Sequence, residues 1–214
     1  MNRLNNAYQR SMSDQNPKPI QYPGDDLIPD AQMVYDQKRT IKASAAEIFP
    51  WLRQLGKGRG GWYLPEKFEK ILPSTWRASR IIDERWQGMT EGDKVPDYGF
   101  SKHDYFIVKK VEPNSSIVFQ SQRYGCVYTW ALLLHELHSG VPSDPEPSTV
   151  VHLRFRGRIQ ATGWKQKALV RGGEFLDTAA AAPLLMGIAD RCEKKPAEKA
   201  AKLEKAEKRH SHSE

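Results

Sequence analysis

A curved antiparallel sheet wrapped around a long C-terminal helix, an α+β architecture, is the fold class that this sequence predicts. Three observations predict it. Hydrophobic positions recur at period two through five successive stretches beyond Lys94. The helical periodicity that precedes them is confined to short segments by a capping signature and by glycine and proline. A longer run with an apolar face, Gly173 to about Arg191, then follows the last strand.

Taken in order, residues 1 to 19 are polar, rich in Asn, Gln and Ser, and are expected to form a disordered arm. The folded domain is expected over 20–192. Its first strand is predicted over Met33 to Ile41, where β-branched and alternating positions dominate. Ser44-Ala45-Ala46-Glu47 is a capping-box pattern that opens a helix through Leu55, with Pro50 bending it and Gly56 ending it. Pro65 to Leu72 reads as a second short helix, with Pro65 at its first turn and Phe68, Ile71 and Leu72 at helical spacing. The remaining strands are predicted over Lys94–Tyr98, Tyr105–Val111, Ser116–Ser121, Cys126–Leu134 and Thr149–Arg158. Glu112-Pro113-Asn114-Ser115 is a hairpin link, and the Pro- and Ser-rich stretch 139–148 is a loop. Strands joined in this way form an antiparallel meander.

The 214 residues suit one domain with tails, and the 39% hydrophobic and 28% charged contents are ordinary for a globular chain. The net charge of +7 is spread out: the tail 193–214 has seven Lys or Arg against five Glu, and the rest lies scattered among acids. That scatter argues against a specific nucleic-acid interface, which concentrates cations on one face. No apolar run approaches the roughly 20 residues of a membrane span, so membrane contact is expected to be at most peripheral. Cys126 and Cys192 stand far apart with no secretory h-region near Met1, so reduced thiols and a cytoplasmic location are expected. The Asn114 sequon is then only a turn.

The order of elements is a helix-grip order. The stretches "YPGDDLIPD", "IFPWLRQLGKGRGGWY", "ASRIID", "MTEGDKVPDYG", "YTWALLL" and "TVVHLRFRGR" resemble the START-like, polyketide cyclase/dehydrase superfamily, over about Tyr22 to Arg191. The resemblance implies a hydrophobic small molecule, such as a lipid, sterol or polyketide, held between the sheet and the long helix. Some members of the superfamily catalyse cyclisation or dehydration there.

Candidate chemistry starts at the glycine-rich stretch Gln54 to Phe68. A phosphate cradle needs a strand leading into a helix N-terminus, whereas this loop follows a helix and lacks the Gly-Lys-Ser/Thr of a P-loop. The glycines instead permit a tight turn that carries Trp62 and Tyr63 either over a cavity mouth or into the core. Arg59 is either a ligand anchor or an exposed loop charge. His135 and His138 are three apart at a strand end, a spacing that directs them to opposite faces, so no metal site is expected. On the last strand Val151, Leu153 and Phe155 share one face and His152, Arg154, Arg156 and Arg158 the other. If the polar face meets the cavity, His152 and Arg154 polarise a carbonyl or hold a carboxylate; if it does not, it is a solvated stripe. Tyr128 and Trp130 share a face of a neighbouring strand, as do Tyr105 and Ile107, which suggests an aromatic-lined cavity. Asp97, Tyr98, His103 and Asp104 offer acid or base groups around a loop.

The expected function is binding of a polyketide-, aromatic- or isoprenoid-like molecule, with cofactor-free cyclisation, dehydration or isomerisation if it is turned over. No cofactor is expected. The alternatives are a non-catalytic carrier, or an adaptor whose basic surface and tail dock an acidic partner or a membrane.

Overall fold

The computed structural model describes residues 21–98, 104–123, 125–137, 147–160 and 181–193. The expected arm, His103, most of the tail, and the first part of the C-terminal helix lie outside them.

Strand β1, Met33–Ile41, leads into α1, Ala45–Arg53. The capping box forms as its residues require: the Ser44 hydroxyl accepts from the Glu47 amide, and the Glu47 carboxylate takes the Ser44 amide at 2.9 Å. Ile48, Phe49, Trp51 and Leu52 are buried, with Pro50 inside the helix. Helix α1 stops two residues short of Leu55. The Gln54 side chain turns inward there, donating to the Ile81 carbonyl and accepting the Asp83 amide.

Helix α2 spans only Glu66–Glu69 and differs from expectation in the face it buries. Phe68 and Ile71 stand 50% and 81% exposed, while Glu69 is buried. Helical spacing does not decide the orientation here. Glu69 is drawn inward by the Arg191 and Arg80 guanidinium groups, 2.7 and 2.6 Å away. Short 3₁₀ turns at Ser74–Trp76 and Glu84–Trp86 lead to β2, Lys94–Pro96.

The meander follows as β3, Tyr105–Glu112, β4, Ser116–Arg123, β5, Cys126–Leu137, and β6, Ser148–Ile159. The described strands form one antiparallel sheet in the order β1-β6-β5-β4-β3-β2. A register shift between Val108 and Lys110 interrupts the β3–β4 ladder.

Residues 181–193 are helical, α3, and present Ala181, Leu184, Leu185, Ile188, Ala189 and Cys192 to a core that contains Phe106, Phe119, Leu132, Val151 and Leu153 of the sheet. Helix α3 comes very close to the 62–64 stretch at Gly187. A Cβ there would lie 2.6 Å from the Tyr63 carbonyl carbon and 2.7 Å from the Leu64 nitrogen. Only glycine lets the helix approach that backbone.

The opposite, convex face is covered by the stretch 21–32. Tyr22 and Leu27 pack on Val118, Ala131 and Leu133, and the Gln32 amide donates to the Gly157 carbonyl.

Candidate functional site on the concave face

Period two places Phe106 of β3, Phe119 of β4, Tyr128 and Trp130 of β5 and Phe155 of β6 on the concave face, and Tyr35 of β1 joins them at one end. Their rings form a continuous band. Tyr35 lies 5.9 Å from Phe155, Phe155 5.7 Å from Tyr128, Tyr128 5.8 Å from Phe106, and Phe106 5.7 Å from Trp130. Trp62, delivered by the glycine loop, completes the band with edge-to-face contacts to Phe106, Phe119 and Trp130 at 5.7, 6.4 and 5.7 Å. Phe106 and Phe119 are buried, whereas Trp62, Tyr128 and Trp130 are half-buried and keep apolar surface open.

One end of the band is polar. Arg123 follows Phe119 and Ser121 on the same face of β4, and its Nε donates to the Tyr128 hydroxyl oxygen while its Nη2 pairs with Asp97. The guanidinium lies 5.3 and 5.5 Å from the Phe106 and Tyr128 ring centroids. Burial pushes the Tyr128 phenol up to about 12, against the opposing pull of Arg123, so it is neutral at physiological pH. Burial also works against the Arg123 charge, yet Asp97 and Tyr128 together hold its pKa above the ordinary value. Cys126, two residues before Tyr128, shares this face as a free thiol that burial makes less acidic.

The glycine loop is a closed turn. Gly56 and Gly61 exchange backbone hydrogen bonds at 3.2 and 3.0 Å, the Gly60 amide donates to the Gln54 carbonyl, and the Lys57 amide to the Pro96 carbonyl. Gly56 and Gly61 hold φ of 120° and 85°, a region that disfavours side chains. These amides face carbonyls of the chain itself, so they do not form an anion cradle. Tyr63 is core: fully buried, it donates from its hydroxyl to the Trp51 carbonyl at 2.8 Å, and the Arg191 guanidinium stacks on its ring at 4.1 Å. Arg59 binds no open space either. It donates to the Arg53 carbonyl at 2.8 Å and lies over the Trp86 ring at 4.8 Å, fastening the loop to the end of α1.

His152 and Arg154 lie on the convex face, away from the aromatic band, so they cannot polarise a ligand carbonyl there. They are not a solvated stripe either. His152 is 1% exposed, its Nε2 lies 2.6 Å from Asp36, and Tyr22 packs edge-on against its ring. Arg154 grips Asp25 and both Asp36 oxygens, Arg156 donates to the Ile28 and Pro29 carbonyls, and Arg158 pairs with Asp30. The stretch 21–32 thus turns the polar face of β6 into a clamp. Tyr105 also falls on the convex side, because its neighbour Phe106 takes the inward position; Lys94 lies over its ring at 4.9 Å. Tyr98 is 44% exposed, stacked on Trp76 with Lys57 nearby, outside the band.

Among the described residues, no group of His, Cys, Asp and Glu could hold a metal ion, and no helix is long and apolar enough to cross a membrane. Tyr35, Phe106, Phe119 and Arg123 belong to the band without being candidates in the sequence, where Phe155 stands only on the apolar face of its strand. For Arg123 the signal was present, since Phe119, Ser121 and Arg123 alternate on one face.

With α3 laid against the concave face of a six-stranded antiparallel sheet, the architecture is decided. The chain has a helix-grip fold. No protein-family model and no curated protein matches this helix-grip chain. Similar solved structures include a protein of Mesorhizobium loti at 12% identity, covering 76% of this chain and 98% of that one, with a TM-score of 0.41. A polyketide-cyclase-like protein of Corynebacterium glutamicum is 12% identical over 80% of this chain and 93% of its own, with a TM-score of 0.31. A member of the major latex protein family from Arabidopsis thaliana is 17% identical over 71% and 94%, with a TM-score of 0.27. At these superpositions no residue correspondence follows, and the site of this helix-grip protein rests on its own geometry.

Proposed function

We propose that the concave face binds an apolar, ring-containing small molecule, laid along the aromatic band with its polar end at Tyr128 and Arg123. The observation that carries the reading is the band itself: aromatic side chains left half-buried on the face that α3 covers, ending in a half-buried ion pair. Apolar surface of that kind gains by being covered, at about 25 cal/mol per Å². Arg123, held by Asp97, supplies a fixed positive end for an anionic or carbonyl group.

A second reading follows from the Arg123–Tyr128 contact. A phenol whose oxygen accepts a guanidinium N–H is a stronger donor, suited to polarising a carbonyl for cofactor-free enolisation or dehydration. A carrier needs only the band; a catalyst needs Tyr128 as well.

The test is a titration with 8-anilinonaphthalene-1-sulfonate, which joins aromatic rings to one anion, followed by its fluorescence. Saturable binding is expected. Arg123→Met, which keeps the stem and removes the charge, should weaken binding about tenfold, the usual scale of one charge-assisted hydrogen bond. Binding that does not saturate, or that Arg123→Met leaves unchanged, sinks the reading.

A further inference from the structure

Among the described residues, the indole of Trp62 carries a donor in the aromatic wall that no oxygen or nitrogen accepts. Its Nε1 is shut off from solvent and has no hydrogen-bond partner, although part of the ring remains open. An indole nitrogen can only donate. Leaving such a donor buried and unpaired costs about 1–3 kcal/mol. The rings around it, Phe106, Phe119 and Trp130, meet Trp62 edge to face and offer at most N–H to π contacts, which are second-order beside an oxygen acceptor.

The backbone that carries this indole is firmly held. Gly61, at φ 85°, closes the glycine turn on one side, and Tyr63 is anchored on the other through its hydroxyl and the Arg191 stack. The side-chain torsions of Trp62 are therefore the freedom left at this position.

The geometry points to a specificity device: Trp62 is the donor that selects aromatic ligands bearing a neutral acceptor oxygen, above all planar aromatic ketones, and it turns to reach that oxygen as the ligand enters. The neutral N–H favours a neutral acceptor, since the positive charge of the site lies at Arg123, paired with Asp97. Apolar ligands of the same shape leave the donor unpaired and bind more weakly. The inference rests on the reading of the concave face as a ligand site.

9-Fluorenone and fluorene test it, because they share one tricyclic shape and differ by a carbonyl oxygen. Their dissociation constants would be measured by quenching of tryptophan fluorescence with wild-type protein and with Trp62→Phe, whose folding is checked by thermal unfolding. Wild type should prefer the ketone about fivefold or more, the scale of one hydrogen bond. Trp62→Phe should bring the ratio close to one, even if both affinities fall. A second readout needs only wild type: on binding, the ketone stretch in the infrared should shift to lower frequency, and one of the six indole N–H signals should move with fluorenone but not with fluorene. If both compounds bind with equal affinity, if the preference survives Trp62→Phe, or if the stretch and the indole signals stay put, the donor role is overturned and the ligand site stands. If neither compound binds, both readings fall together.

Discussion

Gly187 carries more of the fold than its size suggests. The atoms that a side chain would meet belong to the backbone of Tyr63 and Leu64, so no flexible side chain can step aside. Gly187→Ala is expected to push α3 off the 62–64 stretch and destabilise the protein by about 1–3 kcal/mol, the range for overpacking, despite the better helix propensity of alanine. Urea denaturation followed by tryptophan fluorescence checks it; a variant as stable as wild type would mean that the helix does not rest on that backbone.

The contact between α2 and α3 turns on one buried network. Glu69 accepts from Arg191, Arg80 and the Leu64 amide, while Arg191 also donates to the Ser79 and Gly187 carbonyls. Arg191 and Glu69 side chains are 1% and 6% exposed, so neither can turn to water when its partner is lost. Glu69→Gln should cost about 3 kcal/mol or more, because it leaves the Arg191 charge buried without its counter-charge, whereas Glu69→Leu with Arg191→Leu should cost less than the two single changes added. A chemical-denaturation cycle over the four proteins decides it, and strict additivity would remove the pair as the link. The same elements show how far the sequence could be read. Strand β1 and the cap of α1 were legible because alternation and the capping box are local signals. The burial of Glu69 was not, because its partner lies 122 positions away. Nor could period two say which face of β6 turned inward: it separated Val151, Leu153 and Phe155 from His152, Arg154 and Arg156, and only packing chose. A cue was present in the acids Asp25 and Asp30, which complement the arginines of β6, but their contact spans nearly the whole domain. Tyr105 and Phe106 posed the same difficulty in miniature, two adjacent aromatics of which one had to face out.

Over the whole molecule, His152 makes stability depend on pH. Burial holds its pKa below the ordinary 6.5, with Asp36 opposing and Lys38 and His135 reinforcing the shift. The unfolded chain therefore takes up the proton first as pH falls. The stability that His152 contributes as a neutral ring is complete above about 6.5 and is lost progressively as pH drops from there to its lower native value. Protonation would place a second N–H, at Nδ1, where the described residues offer no partner. Stability measured between pH 7.5 and 5 should fall toward acid, and His152→Asn should flatten that slope; an unchanged slope would assign the dependence to other groups.

The clamp on the convex face also sets a timetable for synthesis. Asp25 waits for Arg154, Ile28 for Arg156 and Asp30 for Arg158, each about 128 positions downstream, and β1 waits for β6 as well. During translation residues 25–41 leave the ribosome before their partners on β6, and they stay unpaired until β6 has cleared the exit tunnel. Contacts of such long reach form late and fold slowly. The nascent protein thus exposes β1 unpaired until β6 emerges, the interval in which a holding chaperone, or slower codons ahead of β6, would change the yield most.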